Sequence, residues 1–153
     1  RGGRADRPIH VLNGPNLDRL GTREPAIYGT TTLAEIEAQC REEAGSRAIV
    51  FRQTNSEAQL IGWIHEAIDD ARAIVINPAA FSFTSIAMLD ALKMFDGPIV
   101  EVHISNIHRR EPIYHRSLVS PIATAVIAGL GVHGYRAAIR ALGAIAGAAA
   151  PAT

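Results

Sequence analysis

Five short apolar runs, each followed by polar turn residues and then by a helical pattern, constrain the fold of this chain more than any other feature. The runs are Ile9–Leu12, Ala48–Phe51, Ala73–Ile76, Ile99–Val102 and Ile122–Ala128. Each has the length of a strand and falls short of a helix. Ala73–Ile76 is apolar at every position, as in a strand covered on both faces. Helix signals fill the gaps. Thr32 and Glu35 have capping-box spacing ahead of a pattern that runs through about Ala44 and stops at Gly45. Ser56 and Gln59 repeat that spacing before an apolar stripe of Ile61, Ile64 and Ile68. Thr84 or Ser85 caps a further helix that ends near Phe95-Asp96-Gly97, and Tyr135–Leu142 reads as the last one. Alternation of this kind predicts an α/β chain with a doubly wound, five-stranded parallel sheet and helices on both faces.

Units of this size suit a flavodoxin-like arrangement. With 153 residues the chain is long enough to bury a sizeable core as one domain, assigned to residues 9–143. Residues 1–8 carry no apolar stretch of a signal peptide, and residues 144–153 form an Ala/Gly/Pro tail with little to pack. Both ends are expected to be disordered. Fifteen basic residues balance 15 acidic ones, and nothing in that balance calls for nucleic acid or an anionic membrane as partner. A lone cysteine, Cys40, excludes an internal disulfide and a cysteine-based zinc cage, which fits a reducing, cytoplasmic setting. No apolar run is long enough to span a bilayer.

Chemistry collects at the carboxyl ends of strands in open α/β sheets. The fourth run ends in Glu101-Val102-His103-Ile104-Ser105-Asn106. Glu101 and His103, two apart on an extended segment, point to one side, so the carboxylate can orient the ring and support its protonated form. That is the layout of a general acid held by a carboxylate behind it. The first run ends at Asn13-Gly14-Pro15-Asn16 and the third at Asn77-Pro78, while the loop from Asn16 to Gly29 adds Arg23 and Tyr28 and the segment after the fourth strand adds Arg110. One cleft would hold a tyrosine, a histidine and two arginines.

Each residue alone has a plainer explanation. A loop tyrosine is usually a partly buried anchor, loop arginines mostly sit in solvent, and Asn77 before Pro78 fits ordinary turn chemistry. Their joint occurrence at one sheet edge favours a site. No pair of histidines has metal-ligand spacing, so no metal is expected. His10, His65, His108, His115 and His133 read as structural or surface residues. Gly129-Leu130-Gly131-Val132-His133-Gly134 matches a dinucleotide-type glycine spacing but belongs to the last βα unit, where tight helix packing explains it better.

The segment from Asn13 through Tyr28-Gly29 resembles the opening signature of type II 3-dehydroquinate dehydratases, enzymes of the shikimate and quinate pathways. Ser56-Glu-Ala-Gln-Leu, Asn77-Pro, Thr84-Ser-Ile-Ala, Asp90-Ala, Glu101-Val-His-Ile-Ser-Asn-Ile-His, Arg110-Glu and the stretch from Ser117 to Gly134 extend the likeness along the chain. The resemblance implies elimination of water from a cyclic β-hydroxy ketone bearing a carboxylate, through an enolate, without metal or cofactor. It implies Tyr28 as the base. A free tyrosine has a pKa of about 10, so work near neutrality asks for roughly 4 kcal/mol of help, which Arg23 and Arg110 would give by favouring phenolate. By the same likeness His103, oriented by Glu101, protonates the departing hydroxyl, and Asn77 helps hold a water against the enolate. Ile104 and Ser105 would take the substrate carboxylate, with Asn16 in the same pocket. The loop bearing Arg23 and Tyr28 would act as a lid, trimers would build a dodecamer, and Asp90 would reach a neighbouring subunit's site.

Three positions depart from the family pattern. Phe83 stands where a histidine is usual, Tyr114 replaces an arginine, and Leu89 replaces another. In the family the missing histidine and arginine contact ring hydroxyls remote from the reacting bond, so the resemblance implies a catalytic end that is kept and a recognition end that has become less polar. Loss of such a partner costs about 1 to 3 kcal/mol in a closed pocket. Two other readings stay open on sequence grounds. One is a paralogue dehydrating a related cyclic hydroxy-keto acid, the other a ring-acid-binding module with a weakened site.

Overall fold

A computed structural model describes residues 4–22 and 24–145. Its centre is a five-stranded sheet in the order β2-β1-β3-β4-β5, every pairing parallel. The strands are β1 (Ile9–Asn13), β2 (Ile49–Gln53), β3 (Ala73–Asn77), β4 (Ile99–His103) and β5 (Ala125–Ala128). β1, β3 and β4 are buried at every residue, which is why their sequences are almost continuously apolar. The helices are α1 (Pro25–Tyr28), α2 (Leu33–Ala44), α3 (Glu57–Asp70), α4 (Ile86–Leu92) and α5 (His133–Ile145).

The sheet separates two cores. Ile9, Val11, Val75, Val100 and Val102 meet Ile36 and Cys40 of α2 and Tyr135, Ile139 and Leu142 of α5. Leu12, Ile74, Ile76 and Ile99 meet Leu60 and Ile64 of α3 and Met88 and Leu92 of α4. Period-two alternation along each strand thus feeds both faces. Burial pushes the Cys40 thiol up to about 12, so this lone cysteine is part of the packing and holds no thiolate near neutrality.

Caps fix where the helices begin. Thr32 Oγ1 accepts the Glu35 N–H while Glu35 reaches back to the Thr32 N–H, the full capping box that the sequence predicts. Ser56 caps α3 through the Gln59 N–H at 3.1 Å. Of the two candidates for α4, Ser85 is the cap, accepting the Met88 N–H at 3.0 Å.

Several boundaries differ from the sequence reading. β5 starts at Ala125 because Ile122 and Ala123 donate back to the Val119 carbonyl in a turn, where they are apolar for the sake of the α3/α4 core. α4 ends at Leu92, and Phe95 is buried beyond it as a loop residue. α5 runs further in both directions than Tyr135–Leu142, so residues 144 and 145, expected in the loose tail, are helical. At the other end Arg4–Asp6 form a 3-10 turn, and Arg4 donates to the Ala71 carbonyl at 2.9 Å, which corrects the expectation of disorder for residues 4–8. The rest of both termini, and Arg23, lie outside the described residues.

Gly134 explains the glycine-rich turn before α5. A Cβ there would lie 3.2 Å from Val102 Cγ1 and 3.4 Å from Ile127 Cγ2, so the helix sits close on β4 and β5 because this position is bare. No helix among the described residues is long and apolar enough to cross a membrane.

Candidate active site

Parallel registration brings Asn13 beside Asn77 at the carboxyl ends of β1 and β3, with β4 delivering Glu101 and His103 to the same edge. A cleft of about 580 Å³, counted out to its open mouth, lies above this edge. Asn16, Tyr28, Asn77, Phe83, His103, Ile104, Ser105, Arg110 and Tyr114 all line it. Pro15, Leu17, Ala79, Ala80 and Ile107 complete the wall. These last residues carry no chemistry that sequence reasoning could have singled out.

His103 and Glu101 share a short hydrogen bond between Nε2 and Oε2, and both are buried. The ring nitrogen left for the cleft is Nδ1. Burial opposes charge on Glu101, yet hydrogen bonds from His103, Ser117 and Ser120 outweigh it and hold the carboxyl below the ordinary carboxylate range. A carboxylate so fixed orients the imidazole.

Tyr28 reaches the cleft from α1, a single turn opened by Pro25 and closed by Gly29 at φ 76°. Arg110 Nη1 donates to the Tyr28 hydroxyl oxygen at 3.1 Å. The guanidinium thus places a fixed positive charge against the phenol oxygen. The Arg110 carbonyl in turn accepts a hydrogen bond from His115 Nε2, so His115 serves the loop it belongs to.

The floor of the cleft rests on a buried triad. Tyr135 donates its hydroxyl to Asn13 Oδ1 at 2.7 Å and accepts from Asn77 Nδ2 at 2.8 Å. Asn77 Oδ1 also accepts the Ala79 N–H at 3.2 Å, which leaves one amide hydrogen of Asn77 for a water or ligand. Burial pushes the Tyr135 phenol up, so this hydroxyl stays protonated and structural. Sequence reasoning took Tyr135 only as the start of a helix.

Phe83 forms an aromatic rim, its ring stacked on His103 at 6.3 Å and edge-on to Tyr114 at 5.4 Å. Two other expected residues stand elsewhere. Glu101 backs His103 from below, and Asp90 is exposed on α4, 4.0 Å from Lys93 Nζ and away from the cleft lining. Leu89 lies on α4 beside it. Among the described residues no group of three or more His, Cys, Asp or Glu could hold a metal ion.

Comparison with known proteins places the chain in one family. The profile of the family described as dehydroquinase class II matches residues 7–143. A Streptomyces coelicolor protein named 3-dehydroquinate dehydratase is 54% identical over 147 residues, covering 94% of each chain. An Agrobacterium fabrum protein named 3-dehydroquinate dehydratase 2 is 56% identical, over 86% of this chain and 91% of its own. The crystal structure of the type II dehydroquinase from Propionibacterium acnes superposes with a TM-score of 0.87 at 50% identity, covering 90% of this chain and 97% of that one. With the profile spanning nearly all of the folded region and relatives of this identity over most of its length, the chain belongs to the dehydroquinase class II family.

Proposed function

We propose that this chain dehydrates 3-dehydroquinate to 3-dehydroshikimate. The observation that carries the reading is the pairing across one cleft of an arginine-bound phenol, Tyr28, with a carboxylate-backed imidazole, His103. Tyr28 as phenolate removes a proton beside the ketone, and the electron pair passes into an enolate. His103 then gives its proton to the hydroxyl on the neighbouring carbon as the C–O bond breaks, so product and one water leave. The step is redox-neutral and asks for no electron carrier.

Arg110, together with Arg23, supplies the positive charge that favours the phenolate. The remaining amide hydrogen of Asn77 is suited to a water that faces the enolate oxygen. Ile104 and Ser105, at the end of β4, take the carboxylate, with Asn16 beside them. Phe83 and Tyr114 face the ring end remote from the reacting bond. Asp90, exposed on α4, serves a neighbouring subunit within a trimer-based dodecamer. Light scattering of the purified protein tests that assembly, and a monomer would remove the role given to Asp90.

Mixing purified protein with 3-dehydroquinate tests the activity directly, through growth of the conjugated enone absorbance. Tyr28→Phe is expected to lower kcat by about 100- to 10,000-fold, the usual worth of a general base. Parental turnover by that variant would remove Tyr28 from the scheme.

A further inference from the structure

We propose that Tyr114 is a positioning residue for Arg110, and through it for the base; this rests on the reading of Tyr28 as that base. The Arg110 guanidinium carbon stands 4.1 Å from the centroid of the Tyr114 ring, while Nη1 of the same group binds the Tyr28 hydroxyl at 3.1 Å. The guanidinium is therefore held between an aromatic face and a phenol oxygen. By contrast the Tyr28 ring itself is 5.9 Å away, so the close cation–π contact is the one to Tyr114.

The backbone makes this contact local. Residues Pro112–Tyr114 form one 3-10 turn, and the Tyr114 N–H donates to the Glu111 carbonyl at 2.9 Å. That turn folds Tyr114 back over the side chain of Arg110. Phe83 packs edge-on against the same ring, at 5.4 Å and 75°, and helps fix its plane.

A guanidinium stacked on a ring keeps its charge, loses part of its water shell and gives up little side-chain freedom on making its hydrogen bond. Without the ring, Arg110 is free to turn toward solvent, and its hydrogen bond to the phenol weakens.

The test compares Tyr114→Leu with Tyr114→Phe in steady-state turnover of 3-dehydroquinate. Tyr114→Leu is expected to lower kcat by about 2- to 30-fold, the span of exposed to desolvated cation–π contacts, with a smaller change in KM. Tyr114→Phe, which keeps the ring, is expected to recover most of that loss. A rise in KM at parental kcat, or equal losses in both variants, overturns the proposal by making Tyr114 a substrate contact only.

A second measurement needs no turnover. In arginine-labelled parent protein, the Arg110 side-chain proton signals, identified by their loss in Arg110→Lys, are expected upfield because of the Tyr114 ring current. Unshifted signals overturn the inference even if the enzyme is active. Shifted signals in a protein that leaves 3-dehydroquinate unchanged would sink the proposed function and keep the stacking.

Discussion

Ser120 donates its hydroxyl to Glu101 Oε1 at 2.6 Å, on the carboxylate oxygen opposite the one bound to His103. The carboxylate is thereby gripped at both ends, and the imidazole cannot swing without breaking a buried bond. Glu101→Gln keeps the shape and removes the charge. A charge-assisted bond is worth about 1.5–3 kcal/mol, so kcat is expected to fall about 10- to 150-fold, and Ser120→Ala by less. Parental kcat in Glu101→Gln would show that the ring is oriented by something else.

Acid should weaken the fold in two stages, and the signs follow from two buried groups. His10 bonds Asp70 at 2.7 Å, but burial, the larger influence, lowers its pKa below 6.5. The unfolded chain then takes up the proton first, so stability declines as pH drops below about 6.5. Glu101 is also held below its ordinary range, so its contribution is present above the unfolded carboxylate pKa and is lost as pH falls through the folded one. Calorimetric melting midpoints across that range are the measurement. His10→Gln is expected to flatten the first decline and Glu101→Gln the second, and unchanged slopes in both would contradict the assignment.

Tyr135→Phe deletes one oxygen and leaves two buried groups, Asn13 Oδ1 and Asn77 Nδ2, without their partner. An unmatched buried polar group costs about 1–3 kcal/mol, so urea unfolding should shift by at least that amount. Activity should fall as well, because Asn77 loses one of its two anchors. Stability equal to the parent would mean that water replaces the hydroxyl without cost.

Gly14 sits where β1 meets Pro78. A Cβ at this position would lie 2.3 Å from the Pro78 carbonyl oxygen, and backbone on both sides has no rotamer with which to yield. The Gly14 N–H also binds the Asn77 carbonyl at 2.8 Å, so any shift is passed to the site. Gly14→Ala is expected to cost about 1–3 kcal/mol or more and to reduce turnover. A variant as stable and as active as the parent would mean that the two loops separate freely.

The sheet was legible because apolar runs and helix caps recur in register along the chain, and strand ends in such a sheet share one edge. Glu101 and His103 were legible for a simpler reason, since residues two apart on a strand point the same way. The start of β5 was not, because Ile122 is apolar as a buried turn residue, and apolarity reports burial before it reports strand. Ser120 and Tyr135 escaped notice on physical grounds. A hydroxyl bonded to an atom 19 or 122 positions away leaves no local pattern, and Tyr135 looks like any apolar residue of a helix stripe.

The Tyr135 bridge also sets when the floor of the cleft becomes complete. Its three members come from β1, β3 and α5, so they meet only after both strands and that helix have been assembled. Contacts of such separation carry a high closure entropy and form late. Until α5 docks, β1 can pair with β3, yet both asparagines lack the Tyr135 hydroxyl that joins them. Completion of the cleft floor therefore waits on the docking of α5.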